Sequence, residues 1–357
     1  MKALIAMSGG VDSSVAAFRM REAGYDCVGC MMRLYAGETE EGCCCSLDDA
    51  EDARAVARRL GIPFYVFNYA DAFRREVMEP FADAYRRGRT PNPCIECNRA
   101  LKFGRLFLRA RELGCERIAT GHYARVERDG ARALLRAAAD AAKDQSYVLY
   151  TMTQEQLLHT VFPLGEMTKE ETRAAAAACG FVNAEKPDSQ DICFVPDGDY
   201  AAAVERILGT RFPEGDFVSP DGTVIGRHRG IIHYTVGQRR GLGVPAASRL
   251  YVCRIDPEAN TVTLGEERDL LCEAAWTEAP HWIAGEAPSF PLFCRVRLRY
   301  HARPLEAAVR RDGDGLRIEF AEPPRAPAPG QAAVFYDGEY VLGGAVLRRQ
   351  EHEGVLR

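Results

Sequence analysis

The chain opens on an apolar run, Ala3-Leu4-Ile5-Ala6-Met7, that reads as a buried strand. Val11, Val15, Phe18 and Met20 then follow helical spacing and stop at Gly24, a C′ glycine. Tyr25 to Leu34 reads as a second buried strand, and a loop from Gly37 to Ser46 follows it. Ser46-x-x-Asp49 resembles a capping box and starts a helix that runs to Leu60 and ends at Gly61. Pro63 to Phe67 is a third strand, and a long helix covers about residues 70–87. The stretch from Gly88 to Asn98 holds Pro91 and Pro93, which exclude helix and favour a rigid extended loop. The next helix is expected over Arg99 to Leu113, the fourth strand over Glu116 to Thr120, and a small hairpin over Arg125 to Ala137. This alternation predicts an α/β fold with a doubly wound parallel sheet.

After about Asp197 the pattern changes. One short helix runs from Asp199-Tyr200 to Gly209, and short alternating runs with turns then dominate. Leu250 to Ile255 is expected to pair with Thr261 to Leu264, and Val334-Phe335-Tyr336 with Tyr340 to Gly344 around Asp337-Gly338. Three domains are expected: residues 1–195, a central β-rich linking domain at 196–273, and a C-terminal β-barrel at 274–357.

Composition narrows the setting. The 357 residues are 47% apolar, ample for folded cores, and their net charge of −5 announces no global basic field. No run reads as a signal peptide or reaches transmembrane length, so a cytoplasmic protein without a membrane partner is expected. The 13 cysteines then read as reduced thiols rather than a disulfide framework.

The candidate chemistry lies in the turns. In Ala6-Met7-Ser8-Gly9-Gly10-Val11-Asp12-Ser13-Ser14, the glycines let the backbone curl and the following helix start offers N–H groups and its dipole to an anion. Ser8, Ser13 and Ser14 add hydroxyl donors, so no lysine is needed; a ligand-free tight turn is the alternative. The turn is neither a Walker A loop nor Gly-x-Gly-x-x-Gly. Met32, near a strand's C-terminal end, suits an adenine contact or core packing. Cys27-x-x-Cys30 has redox or zinc spacing, but in an extended strand its members face opposite ways, which favours structural cysteines. Cys43, Cys44 and Cys45 end a loop and suit either sulfur handling or simple packing. Cys94-x-x-Cys97 opens a helix, where a thiol gains thiolate character; half of a zinc site is the alternative. Gly121 permits close approach to a nucleotide. His122, Lys143 and Gln145 suit substrate, phosphate or base contacts, or an ordinary solvated loop. Arg295, Arg297 and Arg299 share one face of a strand, which fits phosphate gripping or a solvated face.

The glycine turn resembles the pyrophosphate loop of enzymes that split ATP into AMP and pyrophosphate. With Lys186-Pro187-Asp188-Ser189-Gln190-Asp191-Ile192-Cys193-Phe194, the segment from Thr90 to Asn98 and Tyr234 to Gly243, the chain resembles the tRNA-specific 2-thiouridylases over almost its whole length. The resemblance implies a nucleophile at Cys97 and a persulfide carrier at Cys193. It implies ATP contacts at Ala6, Met7, Ser8, Gly9, Gly10, Val11, Asp12, Ser13, Met32 and Gly121, with magnesium on the nucleotide and Asp12 orienting that end. It implies tRNA contacts at His122, Lys143, Asp144, Gln145, Arg299, Tyr300 and Gln331, and target-base contacts at Asn92, Pro93 and Cys94. The tRNA partners implied are the Lys, Glu and Gln acceptors, and the sulfur donor a cysteine desulfurase or a relay protein. Many members carry aspartate where this chain has Cys94. Cys94, Cys97 and Cys193 together would suit an iron–sulfur cluster, as an alternative to the persulfide route. The rival functions are an adenylating amide-forming synthetase and a zinc-stabilised tRNA-binding module.

Overall fold

The computed structural model describes residues 1–35, 47–188 and 192–349. Cys43, Cys44, Cys45, Ser189, Gln190 and Asp191 lie outside the described residues. The first strand, β1 (Lys2–Ala6), is the middle of a five-stranded sheet with the order Phe64–Asn68, Asp26–Arg33, β1, Arg117–Thr120 and Thr160–Val161. All neighbours run parallel. The apolar runs are unbroken because both faces are covered. Leu4, Val28, Cys30, Met32 and Ile118 enter one buried cluster, and Ala3, Ile5, Cys27, Met31 and Ala119 the other. Cys27 and Cys30 therefore do face opposite ways. Burial pushes both thiols up from their ordinary pKa, so they pack as apolar groups.

The helix α1 (Val11–Glu22) leaves the glycine turn and closes at Gly24, which has φ +80°. The order of the strands reverses between β1 and Arg117–Thr120, so the turns after these two strands border the crevice where open α/β sheets bind ligands.

Three elements depart from the sequence expectation. Helix begins at Pro93 rather than Arg99, and helical structure is continuous to Glu112. Pro91 stays outside, but Pro93 takes the first helical position, where its missing N–H costs nothing. Asn92 caps this helix by accepting from the Cys94 amide at 3.1 Å. Both this rod and the 70–86 rod change to π-helix on the way, at Cys97–Arg105 and Arg74–Met78. Third, the hairpin Arg125–Asp129 and Arg132–Arg136 does not serve the first sheet. It extends the C-terminal sheet through Arg136 opposite Tyr340.

The middle of the chain forms the helix Tyr200–Leu208, closed by Gly209 at φ +65°, and a sheet in the order Tyr251–Asp256, Thr261–Gly265, Gly215–Val218 and Val224–His228. The last part, from Ala274, curls into a nine-stranded sheet among the described residues once the early hairpin is included.

The expected phosphate-gripping arginine face is largely spent inside the protein. Arg295 donates to the Gly338 carbonyl at 2.5 Å, and Arg299 to the Val236 and Ala326 carbonyls at 3.0 and 3.2 Å. Arg297 pairs with Asp144 at 3.0 Å, with the two side chains 16% and 3% exposed. Asp144 also accepts from the Ala138 and Ser146 amides and the Ser146 hydroxyl. It is thus a strut between the first domain and the last. Asp144→Ala would leave a buried guanidinium unpaired, a loss expected to cost about 3–5 kcal/mol. Asp144→Asn with Arg297→Met keeps the amide acceptor and removes the charge, and is expected to recover part of that loss. Urea unfolding of both variants against the parent measures it.

Candidate active site

The glycine turn is shaped by backbone contacts. At Gly9 a Cβ would lie 2.4 Å from the Asp49 carbonyl oxygen, and at Gly121 another would lie 2.7 Å from the Ser13 amide nitrogen. Gly10 sits at the N-cap of α1 and no side chain caps the helix, so the first amides of the helix remain available to an anion. The serines divide their work differently from the expectation. Ser13 and Ser14 are buried and donate to the Gly10 carbonyl, both at 3.0 Å, so they brace the turn. Ser8 alone of the three is exposed. Asn183 completes the brace from far along the chain. It is 2% exposed and donates to the Gly9 carbonyl at 2.8 Å and the Ser14 hydroxyl at 2.9 Å.

A charged network surrounds the turn. Lys169 reaches Asp12 at 2.6 Å and Asp188 at 2.7 Å, so a lysine does stand beside this loop. Tyr123 donates its hydroxyl to Asp12 at 2.9 Å. Asp188 also takes Lys143 at 2.9 Å and Arg173 at 3.0 Å. Burial alone would raise the Asp188 pKa; hydrogen bonds from Lys169 and Lys143 outweigh it and hold the carboxyl below its ordinary value. Lys186 binds Asp49 and Asp52, both at 2.6 Å, and holds the backbone that roofs Gly9. Burial opposes its charge, but the two carboxylates outweigh burial and raise its pKa.

The cysteine segments border one apolar cluster. Cys97 is buried in the cluster that holds Met32, and Cys193 packs half-buried against it. Phe194 anchors the Cys193 segment edge-on between Phe73 and Phe81, at 5.7 and 5.1 Å between ring centres. Cys94 is exposed. Tyr300 stands beside it: its pKa is pushed up to about 12 by burial first, then by Asp144 and Cys94, against a hydrogen bond from Gln145. Gln145 in turn accepts from the Tyr123 amide at 2.9 Å.

The C-terminal domain grips the entry to the cysteine helix. Thr90 donates its amide to the Pro329 carbonyl at 2.8 Å and accepts at its own carbonyl from Gln331 at 2.6 Å. Arg89 pairs with Glu278 at 2.6 Å. His122 is buried, with its Nδ1 2.7 Å from the Thr120 hydroxyl and its Nε2 3.4 Å from the Lys102 ammonium. Burial, then Lys102, lowers its pKa well below the ordinary value, so it is neutral near pH 7.

Met32 and Cys97 share one apolar cluster, against which Cys193 packs; Gly121 lies against the glycine turn; and Tyr300 stands with Gln145 and Cys94 at the helix entry. Asp144, His122, Arg299 and Gln331 are instead engaged in holding the protein together. Lys169, Tyr123 and Asn183 escaped the sequence reading. Lys169 announces itself only as the start of a helix, behind the Thr168-x-x-Glu171 capping box.

Three family models divide the chain. A tRNA methyl transferase HUP domain matches residues 1–197, a tRNA methyl transferase PRC-barrel domain 202–266, and an aminomethyltransferase beta-barrel domain 273–347. The protein named tRNA-specific 2-thiouridylase MnmA of Clostridioides difficile is 44% identical over 354 residues, covering 98% of this chain and 98% of its own length. Its namesake in Acetivibrio thermocellus is 45% identical over 355 residues, covering 97% and 99%. That of Heliobacterium modesticaldum is 47% identical over 354 residues, covering 97% and 92%. The likeness covers nearly the whole of the chain, and the chain belongs to the tRNA-specific 2-thiouridylase family.

Proposed function

We propose that this protein is a cytoplasmic sulfurtransferase that replaces the C2 oxygen of the wobble uridine of tRNA by sulfur, at the expense of ATP. The observation that supports the reading is the shared setting of Cys97 and Cys193: both border the apolar cluster that holds Met32. An amide-forming synthetase would use the turn but gives these thiols no work, and so would methyl transfer. A zinc-stabilised binding module lacks support, since the described residues hold no group of three His, Cys, Asp or Glu able to hold a metal ion. Among the described residues Cys94, Cys97 and Cys193 form no single-ion metal group, and no step is derived through an iron–sulfur cluster.

The C2 carbonyl of uridine is a poor electrophile with a poor leaving oxygen. The α1 amides and Lys169 hold the triphosphate while the C2 oxygen attacks the α-phosphorus and pyrophosphate leaves. Magnesium needs only one or two carboxylates beside the phosphates; Asp12 is the one at the turn, and the ion supplies charge neutralisation there. The terminal sulfur of a Cys193 persulfide attacks C2 and AMP departs. The Cys97 thiolate then attacks the Cys193 sulfur, the S–S bond breaks, and sulfur remains on C2. The resulting Cys97–Cys193 disulfide takes two electrons from a thiol reductant. In the other branch Cys97 attacks first and the hydrosulfide released attacks C2. The base must leave its stack to reach the site, a small cost in an anticodon loop. Asn92, Pro93, Cys94, Lys143, Gln145 and Tyr300 are positioned to meet it or its phosphates. The Lys, Glu and Gln acceptor tRNAs are the substrates, and a cysteine desulfurase or relay protein loads Cys193.

Cys97→Ser and Cys193→Ser are each expected to abolish thiolation and keep tRNA binding, read by nucleoside mass spectrometry and gel shift; wild-type thiolation in either variant would overturn the assignment. Gly121→Ala forces a Cβ against the Ser13 backbone and is expected to cut tRNA-dependent AMP formation at least about tenfold, equivalent to about 1.4 kcal/mol. The neutral buried His122 sets a pH dependence. Its folded pKa lies below the ordinary value of 6.5, so between the two the unfolded chain binds more protons and stability rises with pH. This contribution is complete above about pH 6.5 and is lost on acidification below it. His122→Asn is expected to flatten that part of the profile in urea unfolding between about pH 5 and pH 7.5.

A further inference from the structure

The helix that carries Cys94 and Cys97 has an internal register problem. Its N-terminal part buries Cys97, Asn98 and Leu101, and its C-terminal part buries Phe103, Leu106, Phe107 and Ala110. Cys97, Leu101, Leu106, Phe107 and Ala110 enter one apolar cluster, and Ile95 and Phe103 another; the five-residue step from Leu101 to Leu106 is out of step with an α-helical face. An α-helix continuing from Asn98 and Leu101 would next turn Gly104 or Arg105 inward; instead Arg105 is exposed and Phe103 is fully buried. The π stretch Cys97–Arg105 absorbs the mismatch, because i→i+5 bonding accommodates one extra residue in the helix. Gly104 permits it. A Cβ there would lie 2.9 Å from the carbonyl oxygen of Arg99, five residues back, which is backbone and cannot swing aside.

We propose that Gly104 is a positioning residue for Cys97: lacking a Cβ, it lets the Arg99 carbonyl close in, and the π register so formed sets the direction from which Cys97 meets the site. The inference rests on the reading of Cys97 as the nucleophile. Phe103, Leu106 and Phe107 fix the far half of the helix in the core. A return to α-helix must therefore turn the near half, and one residue of α-helix is about 100° of turn. Cys97 would swing out of the apolar cluster against which Cys193 also packs. No such constraint acts on Leu108, which is exposed on the same rod.

The test uses the full-length protein. Gly104→Ala is expected to lower the thiolation rate constant at least tenfold while tRNA-dependent ATP–pyrophosphate exchange and KM for ATP stay within about twofold, and to change the iodoacetamide alkylation rate of Cys97 severalfold. Leu108→Ala should change none of these. The decisive variant is Gly104→Ala with Lys102 deleted. Removing one residue between Leu101 and Phe103 gives Cys97, Leu101, Leu106 and Ala110, which share one cluster, an unbroken four-residue spacing on an α-helical face, so Cys97 alkylation is expected to return toward the parent rate despite the added methyl group. The proposal is overturned if Gly104→Ala leaves Cys97 alkylation unchanged, or if the deletion does not restore it. Alkylation, read by peptide mass spectrometry, does not depend on catalysis. Normal thiolation by Cys97→Ser would therefore sink the nucleophile assignment and leave the positioning result readable.

Discussion

The structure depends on one close approach of backbone to backbone. The turn after the strand Arg117–Thr120 lies so near the turn after β1 that Gly121 has no room for a side chain beside Asp12 and Ser13. This contact closes the crevice at the place where strand order reverses, and it sets Tyr123 within reach of Asp12. From Asp12 the connection passes through Lys169 to Asp188, and so to the segment that leads to Cys193. Gly9 under the Asp49 carbonyl repeats the device on the other side of the turn. The loop proposed to hold the phosphates is thus braced on both sides before any ligand arrives, which is what an oxyanion-stabilising site requires.

The C-terminal domain has a second task beside any contact with RNA. It lends Pro329 and Gln331 to fix Thr90, just ahead of the cysteine helix, and takes in return the hairpin 125–136 from the first domain. The exchange makes the domains interdependent, with Asp144 and Arg297 as the buried charged link. Groups that face RNA in one part of the cycle can be held by the protein in another, and Gln331 and Arg299 already spend donors on carbonyls here. For side chains so engaged, any contribution to RNA binding would be the difference between two sets of hydrogen bonds, not the gain of a new set.

The fold was legible where the pattern is local. The apolar strands mark the α/β half, and Gly24, Gly61 and Gly209 mark helix ends, without help from tertiary structure. The opposite facing of Cys27 and Cys30 followed from strand geometry alone. Local rules misjudged Pro93, because a proline is a helix breaker in the interior and a helix starter at the first position, and Asn92 decided between the two by capping. They also misjudged Ser13 and Ser14: a hydroxyl near a glycine turn can face a ligand or its own backbone, and the choice is made by packing. Lys169 and Asn183 could not be read at all, since their partners lie 157 and 174 residues away.

The cysteine helix shows the same limit from within a single element. Its residues carry a clear amphipathic signal, and that signal broke at the site rather than at a domain boundary. A sequence that satisfies one helical period throughout has no need of an altered register; this one needs it between Leu101 and Phe103, a few residues after Cys97. The mismatch is costly to build, because π-helical bonding is the rarer and less favourable arrangement. Such a cost is retained where the direction of one side chain matters more than the stability of the helix that bears it. In this protein that side chain is flanked by an exposed thiol one turn earlier and by a capped, clamped loop before that, so the helix is held firm at its start and along its far half, and the register change falls between the two.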